Sequence, residues 1–134
     1  MSDYNREVIE EFRANEGRLG GPWEGRNLLL LTTTGRKSGR QYTTPVVYTP
    51  DDDRLLVYAS QGGAPDHPDW FLNLVANPQA VVEVGPERYE VIATPLEGEE
   101  RDREFARQVE RAPQFGEYEK RTSRVIPVVA LRRA

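Results

Sequence analysis

The chain has 134 residues, of which 37% are hydrophobic and 30% charged, and a formal net charge of −4. That length suits one domain with its own core, and the acidic balance excludes a general nucleic-acid surface, which needs a basic field. The absence of cysteine excludes disulfides, thiolate catalysis and zinc–sulfur centres, and the single histidine, His67, cannot build a metal site alone.

The elements follow in chain order. Residues 3–16 read as a helix, with Tyr4, Val8, Ile9 and Phe12 on one stripe among charged residues. A glycine-rich loop with Trp23 leads to a first strand, Asn27 to Thr34, whose unbroken run of four leucines predicts cover on both faces. Tyr42 to Thr49 is the second strand, where Pro45 predicts an edge or a bulge. Arg54 to Ser60 is the third.

A loop at 61–68 precedes a short helix at 69–76, with Asp66 as its expected N-cap and Asn77-Pro78 as its stop. Gln79 to Gly85 and Arg88 to Pro95 form a hairpin around Gly85-Pro86. Residues 98–111 and 113–121 read as helical, and 125–132 as the last strand. The predicted fold class is α+β: about six mostly antiparallel strands in a small barrel with flanking helices. Residues 1–19 form an N-terminal helix and linker, and 20–134 the barrel, within one domain.

Four constellations carry chemistry. The loop "GRKSGR" (35–40) places Arg36, Lys37 and Arg40 around small residues, which suits a phosphate or carboxylate. It equally suits a solvated hairpin that needs glycine for its turn, and it lacks Walker spacing. "YASQGG" (58–63) offers the Ser60 hydroxyl and exposed N–H groups at a strand end, although an ordinary strand end reads the same way. One histidine in the chain and the lack of a nucleophile elbow argue against a serine hydrolase. In "HPDWFLNL" (67–74), Trp70 and Leu74 fit a core stripe, and Asp66 and Asp69 fit helix-start partners. Phe115 and Tyr118 share a helical face that suits a flat ligand or a core.

The stretches "LLLLTTTGRKSGRQYTTPVVY", "LVYASQGGAPDHPDWFLNLVANP" and "YEKRTSRVIPVVALRR", collinear from about residue 20 to the C-terminus, resemble the deazaflavin-dependent nitroreductase family, whose F420H2-dependent quinone reductases share its split β-barrel. The resemblance implies coenzyme F420, an 8-hydroxy-5-deazaflavin with a phosphate and an oligoglutamate tail. It implies that Arg36, Lys37 and Ser38 grip those anions. Tyr42, Thr43, Thr44, Pro45, Val46 and Val47 match the strand along the rest of the cofactor. Tyr58, Ala59, Ser60 and Gln61 match the strand end beside the ring. Asp69, Trp70, Phe71, Leu72 and Asn73 match the helix that closes the groove. The chain departs from the family pattern at Tyr42, in place of a basic residue, and at Val47, Ala112 and Phe115, in place of tyrosines. Only Tyr118 keeps its phenol.

The activity so implied is hydride transfer from reduced deazaflavin to an electron-poor acceptor: a quinone, an enone or a nitroarene. Ser60 and Tyr118 are the catalytic candidates, as groups that stabilise or protonate the acceptor oxygen. Val47, Ala112, Phe115, Tyr118 and Trp23 are the substrate-lining candidates. The alternatives are a non-catalytic F420 carrier and an FMN-binding split-barrel oxidoreductase. The partners expected are a small-molecule acceptor, no nucleic acid, no metal, and a homodimer at class level. No apolar run approaches the ~18 residues of a membrane span and no signal peptide is evident, so the expected compartment is the cytoplasm. Helix 3–16 carries Asp3, Glu7, Glu10, Glu11 and Glu16 against Arg6 and Arg13, so any membrane contact is peripheral and weak.

Overall fold

A computed structural model describes residues 3–20 and 27–134. Ten elements follow one another: α1 (Asp3–Ala14), β1 (Leu28–Thr34), β2 (Gln41–Asp51), β3 (Arg54–Tyr58), α2 (Asp69–Ala76), β4 (Gln79–Val84), β5 (Glu87–Pro95), α3 (Gly98–Arg111), α4 (Gln114–Arg121) and β6 (Val128–Arg133). A short 3₁₀ turn at Gln61–Gly63 lies between β3 and α2. The strands close in the order β1-β2-β3-β6-β5-β4, all antiparallel. This is the α+β split barrel that the sequence predicts.

The alternation of strand side chains sorts the core into layers. Leu29 and Leu31 of β1 enter the barrel interior, with Val57, Val82, Val91, Val129 and Leu131. Leu30, between them, faces outward and is covered by Ile9 and Phe12 of α1. The unbroken leucine run therefore does have both faces buried. Leu56, Tyr58, Val128 and Ala130 point out on the other side, where Phe105 of α3 and Phe115 of α4 cover them.

α1 is held on the barrel by that apolar stripe and by Arg13, whose Nε and Nη2 donate to the Glu83 carboxylate on β4 at 3.0 and 2.9 Å. Its acidic face is left to solvent.

Pro45 sits opposite Leu30 in an unbroken β1–β2 register, so β2 has no bulge. β2 pairs with β3 only from Tyr48 onward. Tyr48 N–H donates to Asn27 O, which sets the bonded pairs at alternate residues and puts Pro45 at a non-bonded one. The missing N–H would have pointed toward an edge that β3 does not reach, and the proline costs no ladder bond.

One expected cap and two expected strand boundaries differ. α2 begins as predicted at Asp69, but its N-cap is Pro68, with no side-chain capping bond. Asp66 lies three residues before the first helical residue, beyond capping reach. β3 ends at Tyr58 rather than Ser60, because the Ala59 and Ser60 carbonyls are taken by Arg124 instead of a strand. β6 starts at Val128 rather than 125, since Pro127 has no N–H to offer a ladder.

Candidate functional site

The β1–β2 connection, the face of β2 and the start of α2 enclose a cleft of about 520 Å³. Gly35 N–H donates to Arg40 O at 2.7 Å and Gly39 N–H to Gly35 O at 2.9 Å, which folds the basic loop back on itself. The Ser38 hydroxyl accepts from Arg40 N–H at 3.2 Å and shares a 3.0 Å hydrogen bond with the Tyr42 phenol. Tyr42 is 45% exposed, so its ring forms part of the cleft wall.

Asn73 ties this loop to α2. Its Oδ1 accepts from Arg36 N–H at 3.2 Å and from Arg36 Nη1 at 2.9 Å, while its Nδ2 donates to Thr33 Oγ1 at 3.2 Å. Arg36 Nη2 also reaches Asp69 Oδ1 at 3.4 Å. The Asn73 side chain is buried and fully engaged, and it fixes where the Arg36 guanidinium points. Lys37 makes no hydrogen bond or ion pair among the described residues, so its ammonium is available to an incoming anion.

Of the residues singled out from sequence, Arg36, Lys37, Ser38, Tyr42, Thr43, Thr44, Asp69, Trp70 and Asn73 line this cleft together. Pro45 follows directly on β2. Val46 turns into the barrel core, and Val47 lies partly covered on the opposite strand face. Phe71 and Leu72 pack against the interior cluster. Asn5, Thr33 and Gln41 also line the cleft and were not singled out from sequence, and Gly35 of the basic loop joins them. Gly35 carried a signal: a Cβ there would lie 2.7 Å from the Tyr42 ring and 2.8 Å from Ser38 Oγ.

The second group lies around the end of β3. Ala59 is fully buried, its N–H bonded to Pro127 O. Ser60 is buried, and its hydroxyl makes no hydrogen bond among the described residues. Gln61 begins the 3₁₀ turn at φ +46°. That turn packs on α4, where Gly63 meets the Tyr118 backbone. Ser60 and Tyr118 thus belong to two segments in contact.

Tyr58, Phe115 and Tyr118 form an aromatic series, with ring centroids 5.6 and 5.3 Å apart in edge-on geometry. Phe115 is buried in the outer core, and Ala112 packs beside it. The Tyr58 phenol donates to Thr49 Oγ1 at 3.0 Å, and burial raises its pKa, so it stays protonated as a structural donor. Trp23 lies outside the described residues.

Arg124 was missed by sequence reasoning. Its guanidinium donates to Ala59 O, Ser60 O and Ala64 O at 3.0, 2.7 and 2.9 Å, and to His67 Nδ1 at 3.0 Å. Nothing local marks it, because its partners lie about sixty residues away. Among the described residues no cluster of His, Asp or Glu could hold a metal ion, and no helix is long and apolar enough to cross a membrane.

A family model described as F420H(2)-dependent quinone reductase matches residues 4–133. An F420H(2)-dependent quinone reductase of Mycobacterium tuberculosis is 40% identical over 126 residues, 91% of this chain and 85% of that protein. Among solved structures, an F420-H2 dependent reductase superposes with a TM-score of 0.72 at 38% identity, over 80% of this chain and 95% of that one. A second, described as a domain-swapped dimer, superposes with a TM-score of 0.74 at 35% identity, over 95% of this chain and 93% of that one.

Proposed function

We infer the reaction from one premise: the chain belongs to the F420H(2)-dependent quinone reductase family. On that premise the protein is an oxidoreductase that uses reduced coenzyme F420 to reduce a quinone-type acceptor. The observation that carries the reading is the available Lys37 ammonium, set beside a pre-aimed Arg36 on the cleft of an acidic chain.

The donor set fits the cofactor. Its phosphate and carboxylates need cations and hydroxyls, which Arg36, Lys37, Ser38 and Tyr42 supply at one end of the cleft. Its flat ring needs an apolar and aromatic wall, which Trp70 and the β2 face provide. When bound, F420H2 supplies two-electron hydride donation. The protein's own work is to hold the anionic end, exclude water over the ring, and meet the negative charge that develops on the acceptor oxygen. Ser60 Oγ is a free donor at the end of β3, and the Tyr118 phenol lies on the segment packed against it. We assign them to stabilising and protonating that oxygen.

The apolar stripe of α1 is spent on Leu30, which leaves its acidic face outward. That supports a protein free of the membrane, meeting its acceptor from the aqueous side. The dimeric neighbour makes a homodimer the expected assembly, readable by sedimentation.

Binding of oxidised F420, followed by its fluorescence, tests the site. Lys37→Ala and Arg36→Ala should each weaken affinity about tenfold or more, the worth of one charge-assisted contact. Wild-type affinity in both variants would remove the basic loop from the cofactor site.

A further inference from the structure

The end of β3 is shaped by a side chain from a distant segment. Four groups, three of them backbone carbonyls within residues 59–64, converge on the Arg124 guanidinium. The arginine is itself braced. Its N–H bonds to Thr122 Oγ1 at 3.3 Å, and Arg101 holds the following Ile126 carbonyl through two donors at 3.1 and 2.7 Å. A Cβ on Gly63 would meet Tyr118 O at 2.8 Å, so α4 packs against the same loop. The loop that carries Ser60 is therefore held by both Arg124 and α4.

A guanidinium has only donors, so His67 Nδ1 must accept, and the ring proton sits on Nε2. Protonation of His67 would turn that acceptor into a donor and set two cations face to face. The charged groups acting on His67 are Arg124, which disfavours its protonation, and Asp66, which favours it. The ring also packs on Phe71, with centroids 5.0 Å apart.

We propose that Arg124 is the positioning residue for Ser60, and that its grip on the 59–64 loop holds only while His67 is neutral. The proposal deepens the functional reading above and rests on it only for the effect on turnover. The loop's rigidity is a property of the protein alone.

The sign of the pH effect follows from linkage. Burial, and then Arg124, lower the pKa of His67 from its ordinary value of about 6.5. Opened, the loop binds a proton that the closed loop refuses. Closure is therefore complete above about pH 6.5 and weakens as pH falls from there through the lowered value.

Hydrogen exchange on the cofactor-free protein reads this directly. Gly63 N–H donates to Ser60 O and Ala64 N–H to Gln61 O, so both amides report on the closed loop. Arg124→Ala should lower their protection factors about tenfold or more at pH 7.5 while β1 amides keep theirs. Arg124→Lys should fail to rescue, since one ammonium cannot span three carbonyls. In wild type, protection should fall as pH is lowered below about 6.5, after correction for intrinsic exchange. His67→Asn, whose Oδ1 stands in for Nδ1 but does not titrate there, should abolish that fall. Should Arg124→Ala fail to fold, the comparison of wild type with His67→Asn decides alone.

With F420H2 and menadione, Arg124→Lys should lower kcat about tenfold to a hundredfold, as expected of a misplaced catalytic group, with F420 affinity within about threefold of wild type. Unchanged protection in Arg124→Ala, full rescue by lysine, or the same pH dependence in His67→Asn would each overturn the proposal. Loss of protection without any F420H2 turnover in wild type would instead sink the functional reading and leave the loop device standing.

Discussion

Gly63 and Gly39 share a left-handed backbone, at φ +84° and +73°, but not their surroundings. Nothing lies within 4 Å of a Cβ on Gly39, whereas one on Gly63 would press into the Tyr118 backbone of α4. Gly39→Ala should therefore cost only the backbone penalty, about 1 kcal/mol. Gly63→Ala adds overpacking against main chain and should cost about 3 kcal/mol. Urea denaturation of both variants checks the order, and equal costs would mean that the turn is not seated on α4. Asn73 poses a different question, because it touches protein on every polar atom. Asn73→Ala should lose about 1–3 kcal/mol of stability and about tenfold in F420 affinity, because Arg36 loses its aim. A variant that is destabilised but binds F420 normally would show that Arg36 needs no such anchor.

At the level of elements, α1 is held by two kinds of contact with very different worth. Phe12 is 1% exposed over Leu30, so Phe12→Ala should cost about 3–5 kcal/mol. Arg13 is half exposed in its pair with Glu83, so Arg13→Ala should cost under about 1 kcal/mol. Thermal unfolding separates the two, and the reverse order would mean that α1 is tethered by charge. These elements were largely legible in the sequence. The four leucines of β1 announced a doubly covered strand, "NP" stopped α2 where it stops, and Gly85-Pro86 turned the β4–β5 hairpin. The departures have separate causes. Asp66 stands three residues before the first helical residue, out of capping reach. β3 stops at Tyr58 because Arg124, arriving from the far end of the chain, takes the next carbonyls, which local pattern cannot see. The aromatics at 115–118 likewise read as ligand wall or core with equal right. Only the fold, by laying β3 and β6 beneath them, assigns Phe115 to the core. The cleft was more readable, since its charge and hydroxyl groups come from two contiguous stretches.

On the scale of the whole molecule, a basic loop is set into a chain of net charge −4. The attraction for an anionic cofactor is therefore local and opposed by the general field, and it should be sensitive to ionic strength. F420 affinity should fall as salt is raised from about 0.05 to 0.5 M, across which the screening length shrinks to a few ångström. The fall should be shallower in a Lys37→Ala, Arg40→Ala double variant. Equal salt dependence in the two proteins would place the anion elsewhere. The central claim, that this barrel turns over a deazaflavin, is tested most directly by anaerobic turnover with menadione as acceptor. Reduced F420, reduced FMN and NADPH are compared as donors, and the return of oxidised-donor absorbance is followed. The account predicts protein-dependent oxidation of reduced F420 alone. Turnover of reduced FMN or NADPH in its place, or none with any donor, would contradict it.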